Sequence, residues 1–304
     1  MQQQTMQQRS LQQHEIDDQV FELYDEYCHG KLNRRQFFER AAALTIAGAS
    51  ALSMAKALIP NYAKAQEVLF TDERIKATWI DYESPGGSSG AMRGYLAQPV
   101  GDGPFPAVLV MHENRGLNPY IQDVARRFAV AGFLALAPDG LAPIGGYPGN
   151  DDDGRAMQRT LDQAKLRQDM VNSARFVKGH PLSTGKLAAT GFCWGGGTTN
   201  FLATELGDEL QAAAPFYGAA ADTAKVPDIS AAVQVHYAEN DDRVNAMRAA
   251  YESALVAQGV TYEMHVYPGT RHGFHNYSTP RYDAEAAKLA WTRMVAFLQE
   301  HLSA

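Results

Sequence analysis

From residue 68 onward, short apolar runs alternate with stretches whose apolar positions recur at helical spacing. Residues 106–112 and 133–138 are continuous apolar runs of the length expected for buried strands, and residues 119–131 between them carry apolar side chains on one helical face. Strands that alternate with helices in this way predict an α/β fold, in which helices cover both faces of a mostly parallel sheet. The other strands are expected at residues 74–82, 92–98, 212–217, 232–237 and 262–267, and the other helices at residues 161–178, 198–206, 245–258 and 283–302.

Two connections stand out within this pattern. Residues 74–82 and 92–98 are separated by a loop of glycine, serine and proline, which predicts that these two strands form an antiparallel pair. Residues 139–154 are rich in glycine, proline and aspartate, and we interpret them as a connection that lines a site rather than as a domain linker.

Residues 1–65 follow a different pattern and are expected to form an extension of the main domain, which we place at residues 66–304. The extension begins with glutamine-rich residues 1–14. Residues 16–27 then carry apolar side chains at helical spacing, which predicts a short helix.

Residues 34–65 combine the features of a twin-arginine export signal. An arginine pair at residues 34–35 precedes an uncharged run at residues 41–55, and Ala-Lys-Ala at residues 63–65 is a small-residue cleavage site. We therefore expect the twin-arginine export machinery as a partner, cleavage after residue 65 and a periplasmic or otherwise exported protein. Acidic residues before the arginine pair leave an alternative, in which an uncleaved N terminus packs on the domain or lies at a membrane surface, in a cytoplasmic or membrane-associated protein.

The composition fits one α/β domain with an extension, because the 304 residues include 45% hydrophobic side chains, enough for a sizeable core. The formal net charge of -7 gives no broad basic surface for nucleic acid, so an acidic ligand would need local arginines. The two cysteines, Cys28 and Cys193, lie far apart in unlike contexts and indicate no disulfide framework.

Residues 187–197 carry the first indication of chemistry, with the sequence Leu-Ala-Ala-Thr-Gly-Phe-Cys-Trp-Gly-Gly-Gly. A small apolar run meets a Gly-x-Cys-x-Gly turn and a helical segment follows, which is the order of a nucleophile elbow. In such an elbow the central side chain, here Cys193, lies on a strained turn. Gly191 and Gly195 are then needed because a Cβ there would clash with neighbouring elements. The motif alone fits a buried core thiol equally well.

Two polar loops downstream supply the partners that a nucleophile needs. Residues 238–244 follow one predicted strand and carry Asp241 and Asp242, and residues 268–275 follow the next strand and carry His272. In an α/β-hydrolase the nucleophile, the acid and the histidine occur in this order, each at the carboxyl end of a strand. Either aspartate would orient the histidine, which would hold the cysteine as thiolate and protonate the leaving group. Singly, such residues are common in solvated turns, but their order favours catalysis.

A further loop, residues 112–117, follows the strand that precedes the first helix of the domain. This loop supplies one backbone amide of the oxyanion hole in such folds, and the residue after the nucleophile supplies the other. We assign these amides to Asn114 and Trp194. A carboxylate at Glu113 would repel an oxyanion, so it is better explained as a partner of a thiol.

Together these motifs resemble the dienelactone hydrolase family over about residues 70–302. The resemblance implies an α/β-hydrolase fold and a carboxylic ester hydrolase, similar to carboxymethylenebutenolidase, that works without metal or organic cofactor. The matching segments are His112-Glu113-Asn114-Arg115-Gly116, Ala137-Pro138-Asp139, Gly191-Phe192-Cys193-Trp194-Gly195-Gly196, Tyr217-Gly218, His236-Tyr237-Ala238-Glu239-Asn240-Asp241, Tyr267-Pro268-Gly269 and His272-Gly273-Phe274.

The resemblance implies a triad of Cys193, Asp241 and His272. Asp241 is preferred to Asp242 because it holds the family's position three residues before a valine. It also implies that Glu113 is the acidic partner of the resting cysteine, and that this glutamate leaves the thiol with its proton when substrate binds. The freed thiolate would attack a lactone carbonyl and form an acyl-enzyme.

The sequence departs from the family where the substrate is bound. Family members use an arginine four residues after the catalytic histidine to bind a substrate carboxylate, and here that position is Asn276. Arg115 and Arg271 are candidates to replace it, with a surface or structural role as the alternative for each. Tyr217 is a further candidate for substrate contact.

Three hypotheses for function follow. The first is a hydrolase that cleaves a small-molecule ester or lactone through a cysteine nucleophile and an acyl-enzyme. The second is a thioesterase or another acyl hydrolase of the same fold. The third is a non-catalytic, membrane-tethered protein that uses its cleft to bind a ligand. The oligomeric state is left open.

Overall fold

The computed structural model describes residues 15–44, 50–62 and 66–303 of the chain. Its described residues form one eight-stranded sheet with helices on both faces. The strands are β1 (Ile75–Ser84), β2 (Gly90–Pro99), β3 (Phe105–Met111), β4 (Leu134–Pro138), β5 (Ser183–Phe192), β6 (Ala212–Phe216), β7 (Ala232–Asn240) and β8 (Tyr262–Arg271). The helices are α1 (Asp18–Cys28), α2 (Arg34–Ala43), α3 (Ala51–Ala57), α4 (Pro119–Val130), α5 (Asp151–Thr160), α6 (Gln163–Lys178), α7 (Trp194–Leu206), α8 (Asp242–Asn245), α9 (Arg248–Gln258) and α10 (Ala284–Ser303).

The strands lie in the order β1-β2-β4-β3-β5-β6-β7-β8. β1 pairs with β2 and β2 with β4 in antiparallel fashion, whereas the remaining neighbours are parallel. The predicted α/β fold with a mostly parallel sheet is therefore confirmed, as is the antiparallel pair at its edge. Parallel strands end at one edge of the sheet, so the loops after β3, β5, β7 and β8 meet there.

The central strands are buried on both faces, which explains their continuous apolar runs. In β3, Val108 and Val110 belong to the core that includes α4 and α10, while Leu109 and Met111 belong to the core on the other face that includes α6, α7 and α9. All four side chains are fully buried. Burying a side chain of this size stabilises the fold by about 1.5–3 kcal/mol. Because side chains alternate along the strand, β3 contributes two of these four side chains to each core.

Residues 139–154 differ from the predicted loop. They contain a 3-10 turn at Ala142–Ile144 and the start of α5. Asn150 caps this helix by accepting from the backbone N–H of Asp153, and three aspartates in its first turn favour the positive end of the helix dipole. The predicted helix at 245–258 is likewise divided into α8 and α9.

Residues 15–44 and 50–62, which we call the cap, fold as α1, α2 and α3 and pack on the domain. The helix predicted at 16–27 corresponds to α1. Tyr24, Tyr27 and Phe37 form the aromatic centre of a small core, with ring centroids 5.0–5.8 Å apart. Asn33 and Gln36 cap α2 reciprocally, each side chain accepting from the other's backbone N–H.

Within the described residues, no helix combines the length and apolar character needed to cross a bilayer. The glutamine-rich residues 1–14, part of the uncharged run and the cleavage site at residues 63–65 lie outside the described residues. The expected export signal therefore stays a prediction.

Candidate active site

Cys193 occupies the turn between β5 and α7 and has the backbone conformation of a nucleophile elbow. Its φ is 56°, a value that side chains other than glycine seldom adopt, at a cost of about 1–3 kcal/mol. A Cβ on Gly191 would lie 2.4 Å from the carbonyl oxygen of Gly195, and a Cβ on Gly195 would lie 2.5 Å from that of Met111. Backbone contacts therefore require both flanking glycines.

Asp241 and His272 meet at the carboxyl edge of the sheet, directly after β7 and β8. His272 Nδ1 lies 2.6 Å from Asp241 Oδ2, and both side chains are 6% exposed. Asp242 is exposed, so the structure places Asp241 beside the histidine. Burial alone would raise the pKa of the Asp241 carboxyl, but the charge and hydrogen bond of His272 outweigh burial and lower it.

The thiol of Cys193 lies between two histidines. Its Sγ and one ring nitrogen each of His29 and His272 lie within 4.8 Å of one another. Burial would raise the pKa of this thiol, but His272 and His29 lower it to about 5. Burial would also lower the pKa of His272, but Cys193 and Asp241 raise it to about 10. At neutral pH the cysteine is therefore a thiolate beside an imidazolium.

Glu113 is fully buried but forms no contact with Cys193 among the described residues. Its Oε2 accepts from Asn276 Nδ2 at 3.2 Å and lies 3.4 Å from Arg115 Nε, while Oε1 has no hydrogen-bond partner in the described part of the chain. The expected pair of Glu113 with the resting cysteine is therefore not formed in this conformation. Asn276, which replaces the family's arginine, holds the glutamate instead.

Asn114 and Trp194, whose backbone amides are the predicted oxyanion-hole donors, both line the cavity at Cys193. Trp194 is the first residue of α7, so its N–H has no acceptor within the helix. Neither amide has a hydrogen-bond acceptor among the described residues. His112 stacks on the Trp194 ring at a centroid distance of 5.2 Å and fixes one wall. Both amides are thus free to bind a substrate oxygen.

The cavity beside Cys193 has a volume of about 560 Å³, which suits a small molecule. Apolar side chains of α7 and of the loop after β6 share its walls with the cations of Arg167, Lys225 and Arg243. Sequence analysis missed these cations because they lie on separate elements and no motif connects them. Tyr217 also lines the cavity, and its buried hydroxyl has no partner in the described ranges.

The two arginines expected to bind substrate lie elsewhere. Arg115 is 2% exposed and pairs with Asp151 at 2.7 Å as well as with Glu113. Arg271 forms an ion pair with Asp18 of the cap. Neither lines the cavity at Cys193, and carboxylates engage both side chains. Their role in substrate binding stays a prediction.

His29, directly after α1, is the active-site residue that the sequence did not indicate. It lines the cavity, and its ring meets that of His272 edge to face at 5.4 Å. No motif surrounds it, so only the docking of the cap on the domain identifies it. His29, Cys193 and His272 are also of the residue types that bind zinc.

The chain matches two models of known protein families. A family model described as the dienelactone hydrolase family matches residues 92–302, and one described as YqhI-like matches residues 7–44.

Three curated relatives are similar to the chain. A putative hydrolase fragment, YghX, of Escherichia coli is 59% identical over 37% of this chain and 97% of its own length. A probable 2-oxo-3-(5-oxofuran-2-ylidene)propanoate lactonase of Bradyrhizobium is 30% identical over 76% of this chain and 96% of its own. A putative carboxymethylenebutenolidase of Yersinia pestis is 32% identical over 68% and 83%.

Among solved structures, a putative dienelactone hydrolase of Klebsiella pneumoniae is similar to this chain. It superposes with a TM-score of 0.65 at 28% identity, over 74% of this chain and 99% of its own.

Proposed function

The chain belongs to the dienelactone hydrolase family and is a hydrolase of esters or lactones, and from this premise we propose that Cys193 is its nucleophile, with His272 and Asp241 completing a triad. One observation carries the proposal. The Asp241 carboxylate lies 2.6 Å from His272 Nδ1, and the other side of this imidazole is within reach of the Cys193 sulfur. Hydrogen bonds between a nucleophile and its base are often long before substrate binds.

The first half of the reaction forms an acyl-enzyme. The Cys193 thiolate attacks the carbonyl carbon, a carbon–sulfur bond forms, and the negative charge moves to the carbonyl oxygen. The amides of Asn114 and Trp194 stabilise this oxyanion. When the intermediate collapses, the carbon–oxygen bond breaks and the leaving oxygen takes the proton of His272.

The second half returns the enzyme to its starting state. His272, now neutral, takes a proton from a water molecule that attacks the thioester carbon. The carbon–sulfur bond breaks, the acid product leaves, and Cys193 is again a thiolate beside an imidazolium. Asp241 keeps the imidazole in the orientation that both proton transfers need.

For the substrate, we infer a small ester or lactone that carries a carboxylate. The support is the cavity volume, together with Arg243 and Lys225 in a wall that also carries Glu205 and Asp222, and a relative named as a lactonase. A panel of neutral and acidic lactones, oxyesters and thioesters compared by kcat/KM tests this inference. Equal rates for acidic and neutral lactones would contradict it, and a preference for thioesters would favour the second hypothesis.

The nucleophile is tested by Cys193→Ala. We expect a loss of about 10³-fold or more in kcat for lactones and activated esters, because the acyl-enzyme cannot form. Cys28→Ala is the matched control, since that cysteine lies in the core of the cap. Equal turnover by wild type and Cys193→Ala would refute the proposal, provided that circular dichroism shows both to be folded.

For localisation, we propose that the N terminus stays on the enzyme, which is the alternative to a cleaved export signal. The support is that cleavage after residue 65 would remove His29 from the cavity, and that Arg34 of the arginine pair forms an ion pair with Asp152 at 2.8 Å. The intact mass of the protein recovered from cells tests this proposal. A mass that corresponds to a start near residue 66 would contradict it.

A further inference from the structure

We propose that His29, carried by the cap, is a fourth catalytic residue that holds the Cys193 thiolate, so that the active site is complete only when the cap is docked. This inference rests on the proposed role of Cys193 as nucleophile. It assigns a function to a histidine outside the domain matched by the family model, which begins at residue 92.

The orientation of the His29 ring is fixed from within the cap. Its Nδ1 lies 2.8 Å from the backbone carbonyl oxygen of Asp25 and 3.2 Å from the Asp25 carboxylate. The ring is 19% exposed and lines the cavity. With Nδ1 donating to Asp25, Nε2 is the nitrogen that faces the site. His272 is arranged in the same way, with a carboxylate on Nδ1.

Four charged or titratable groups face His29: Asp25, Cys193, His272 and Arg243. Arg243 Nη2 lies 3.0 Å from His29 Nε2. This nitrogen accepts from the guanidinium when the ring is neutral and donates to the sulfur when the ring is protonated, so the two contacts compete.

The charge of the Cys193 thiolate determines which of these two contacts is favoured. Two imidazolium rings at 5.4 Å and a guanidinium repel one another unless an anion lies among them. Cys193 supplies that anion. Burial alone would lower the pKa of His29, but Asp25 and Cys193 outweigh burial and raise it to about 9. In the proposed state His29 is a cation at neutral pH, and its Nε2 donates to the sulfur instead of accepting from Arg243.

The cap is attached to the domain around this site. Asn114, which lines the cavity, donates from its side chain to the carbonyl oxygen of Cys28 at 2.9 Å. Aromatic side chains spaced three residues apart along α1 lie under arginines of the domain, each pair contributing about 0.5–2 kcal/mol. The pairs are Phe21 with Arg271 at 4.5 Å, Tyr24 with Arg281 at 4.8 Å and Tyr27 with Arg155 at 4.3 Å.

This docking places the end of α1, and with it His29, at the mouth of the elbow. Docking therefore determines the position of a ring nitrogen that lies within 4.8 Å of the reacting sulfur. Glu113, the partner expected for the resting cysteine, is held by Arg115 and Asn276 instead. The two histidines are then the groups that stabilise the thiolate.

The test uses the full-length chain in a Cys28→Ser background, which leaves Cys193 as the sole cysteine. The rate of iodoacetamide alkylation is measured against pH for wild type and for His29→Gln, with EDTA in every buffer. We expect the midpoint to rise by about one pH unit or more in His29→Gln, because one of the two donors to the thiolate is lost. His301→Gln, on the last turn of α10, is the matched control and is expected to leave the midpoint unchanged.

Activity supplies a second readout. We expect kcat/KM of His29→Gln for a neutral ester to fall about tenfold or more at pH 6.5 and to recover substantially at pH 9, where the thiol ionises without help. A merely structural role would lower activity equally at both pH values. If His29→Gln is unstable by thermal denaturation, Asp25→Asn replaces it, and it is expected to shift the midpoint in the same direction by a smaller amount.

An alkylation profile of His29→Gln that superimposes on that of wild type would overturn the inference. A requirement for zinc, seen as loss of activity in EDTA and rescue by zinc alone, would also overturn it, since His29 would then be a metal ligand. Failure of the proposed function is distinguishable. In that case Cys193→Ala retains esterase activity, whereas the alkylation profiles still report whether His29 acts on the thiol.

Discussion

Cys193 combines a strained backbone with a thiol that is ionised at neutral pH, and its activity should therefore depend on pH in a defined way. Its pKa is lowered to about 5, and that of His272 is raised to about 10. At pH values below the pKa of Cys193 the nucleophile is protonated. At pH values above the pKa of His272 no acid is left to protonate the leaving group. The two values belong to the coupled pair rather than to either group alone.

We therefore expect kcat/KM for a neutral ester to rise as the pH increases through about 5, to stay level around neutrality and to fall as the pH approaches about 10. Initial rates between pH 4 and pH 10.5 measure this profile. If kcat/KM instead rose only near the pKa of an ordinary thiol, this result would contradict the stabilisation of the thiolate by histidines.

The residues that sequence analysis could identify are those fixed by chain order. Cys193, Asp241 and His272 follow successive strands of a parallel sheet, and such strand ends meet in any fold of this topology. His29 has no such constraint, because it reaches the sulfur through docking of the cap. Arg243 was missed for a related reason, since it is the second residue of the short helix α8, whose orientation no motif indicates.

The elbow between β5 and α7 depends on its glycines to different degrees. A Cβ on Gly195 would lie 2.5 Å from the carbonyl oxygens of Met111 and His112, and backbone atoms of a central strand cannot move away cheaply. A Cβ on Gly197 would find its nearest neighbour, Ala219 N, at 3.4 Å, which is an ordinary contact.

We therefore expect Gly195→Ala to lower the free energy of unfolding by about 3 kcal/mol or more. Gly197→Ala is the control and is expected to be neutral or to stabilise α7 by up to about 1 kcal/mol. Urea denaturation followed by circular dichroism measures both. If the free energy of unfolding changes by a similar amount in the two variants, movement of the elbow relieves the clash at Gly195.

At the scale of elements, the strands were predictable because burial on both faces gives each one a continuous apolar run. α5 was not predicted because it is polar, with aspartates at three of its first positions and little apolar surface. Its stability comes from the Asn150 cap and from contacts of its acidic first turn. Arg115 pairs with Asp151, and Arg34 of the cap pairs with Asp152.

The whole molecule consists of a hydrolase domain and a cap that share one active site. The pattern of residues 16–27 predicted a helix, but no pattern indicated which surface it would cover. That surface is a layer of buried charges that includes Glu113, Arg115 and Arg281, and only the folded domain assembles it. The extension was therefore predicted to lie outside the functional unit, whereas we propose that it contributes His29 to the active site.

Attachment of the cap is tested by Tyr24→Leu, which removes the ring under Arg281. We expect faster hydrogen exchange across α1 and a higher Cys193 thiol pKa, with the exchange of β3 and β5 unchanged, because the cap opens locally. Arg34→Gln removes only a surface ion pair and is expected to cost less than about 1 kcal/mol. Unchanged exchange in Tyr24→Leu would show that this ring does not hold the cap.

Because of the position of His29, the covalent state of Cys193 and the docking of the cap are thermodynamically linked. Whatever favours docking favours the thiolate, and by the same free energy the thiolate favours docking. Acylation of the sulfur removes its charge, and His272 is neutral once it has protonated the leaving group, so His29 keeps Asp25 but loses the anion on its other side. We therefore expect docking of the cap to be weaker in the acyl-enzyme than in the resting enzyme and to be restored on hydrolysis.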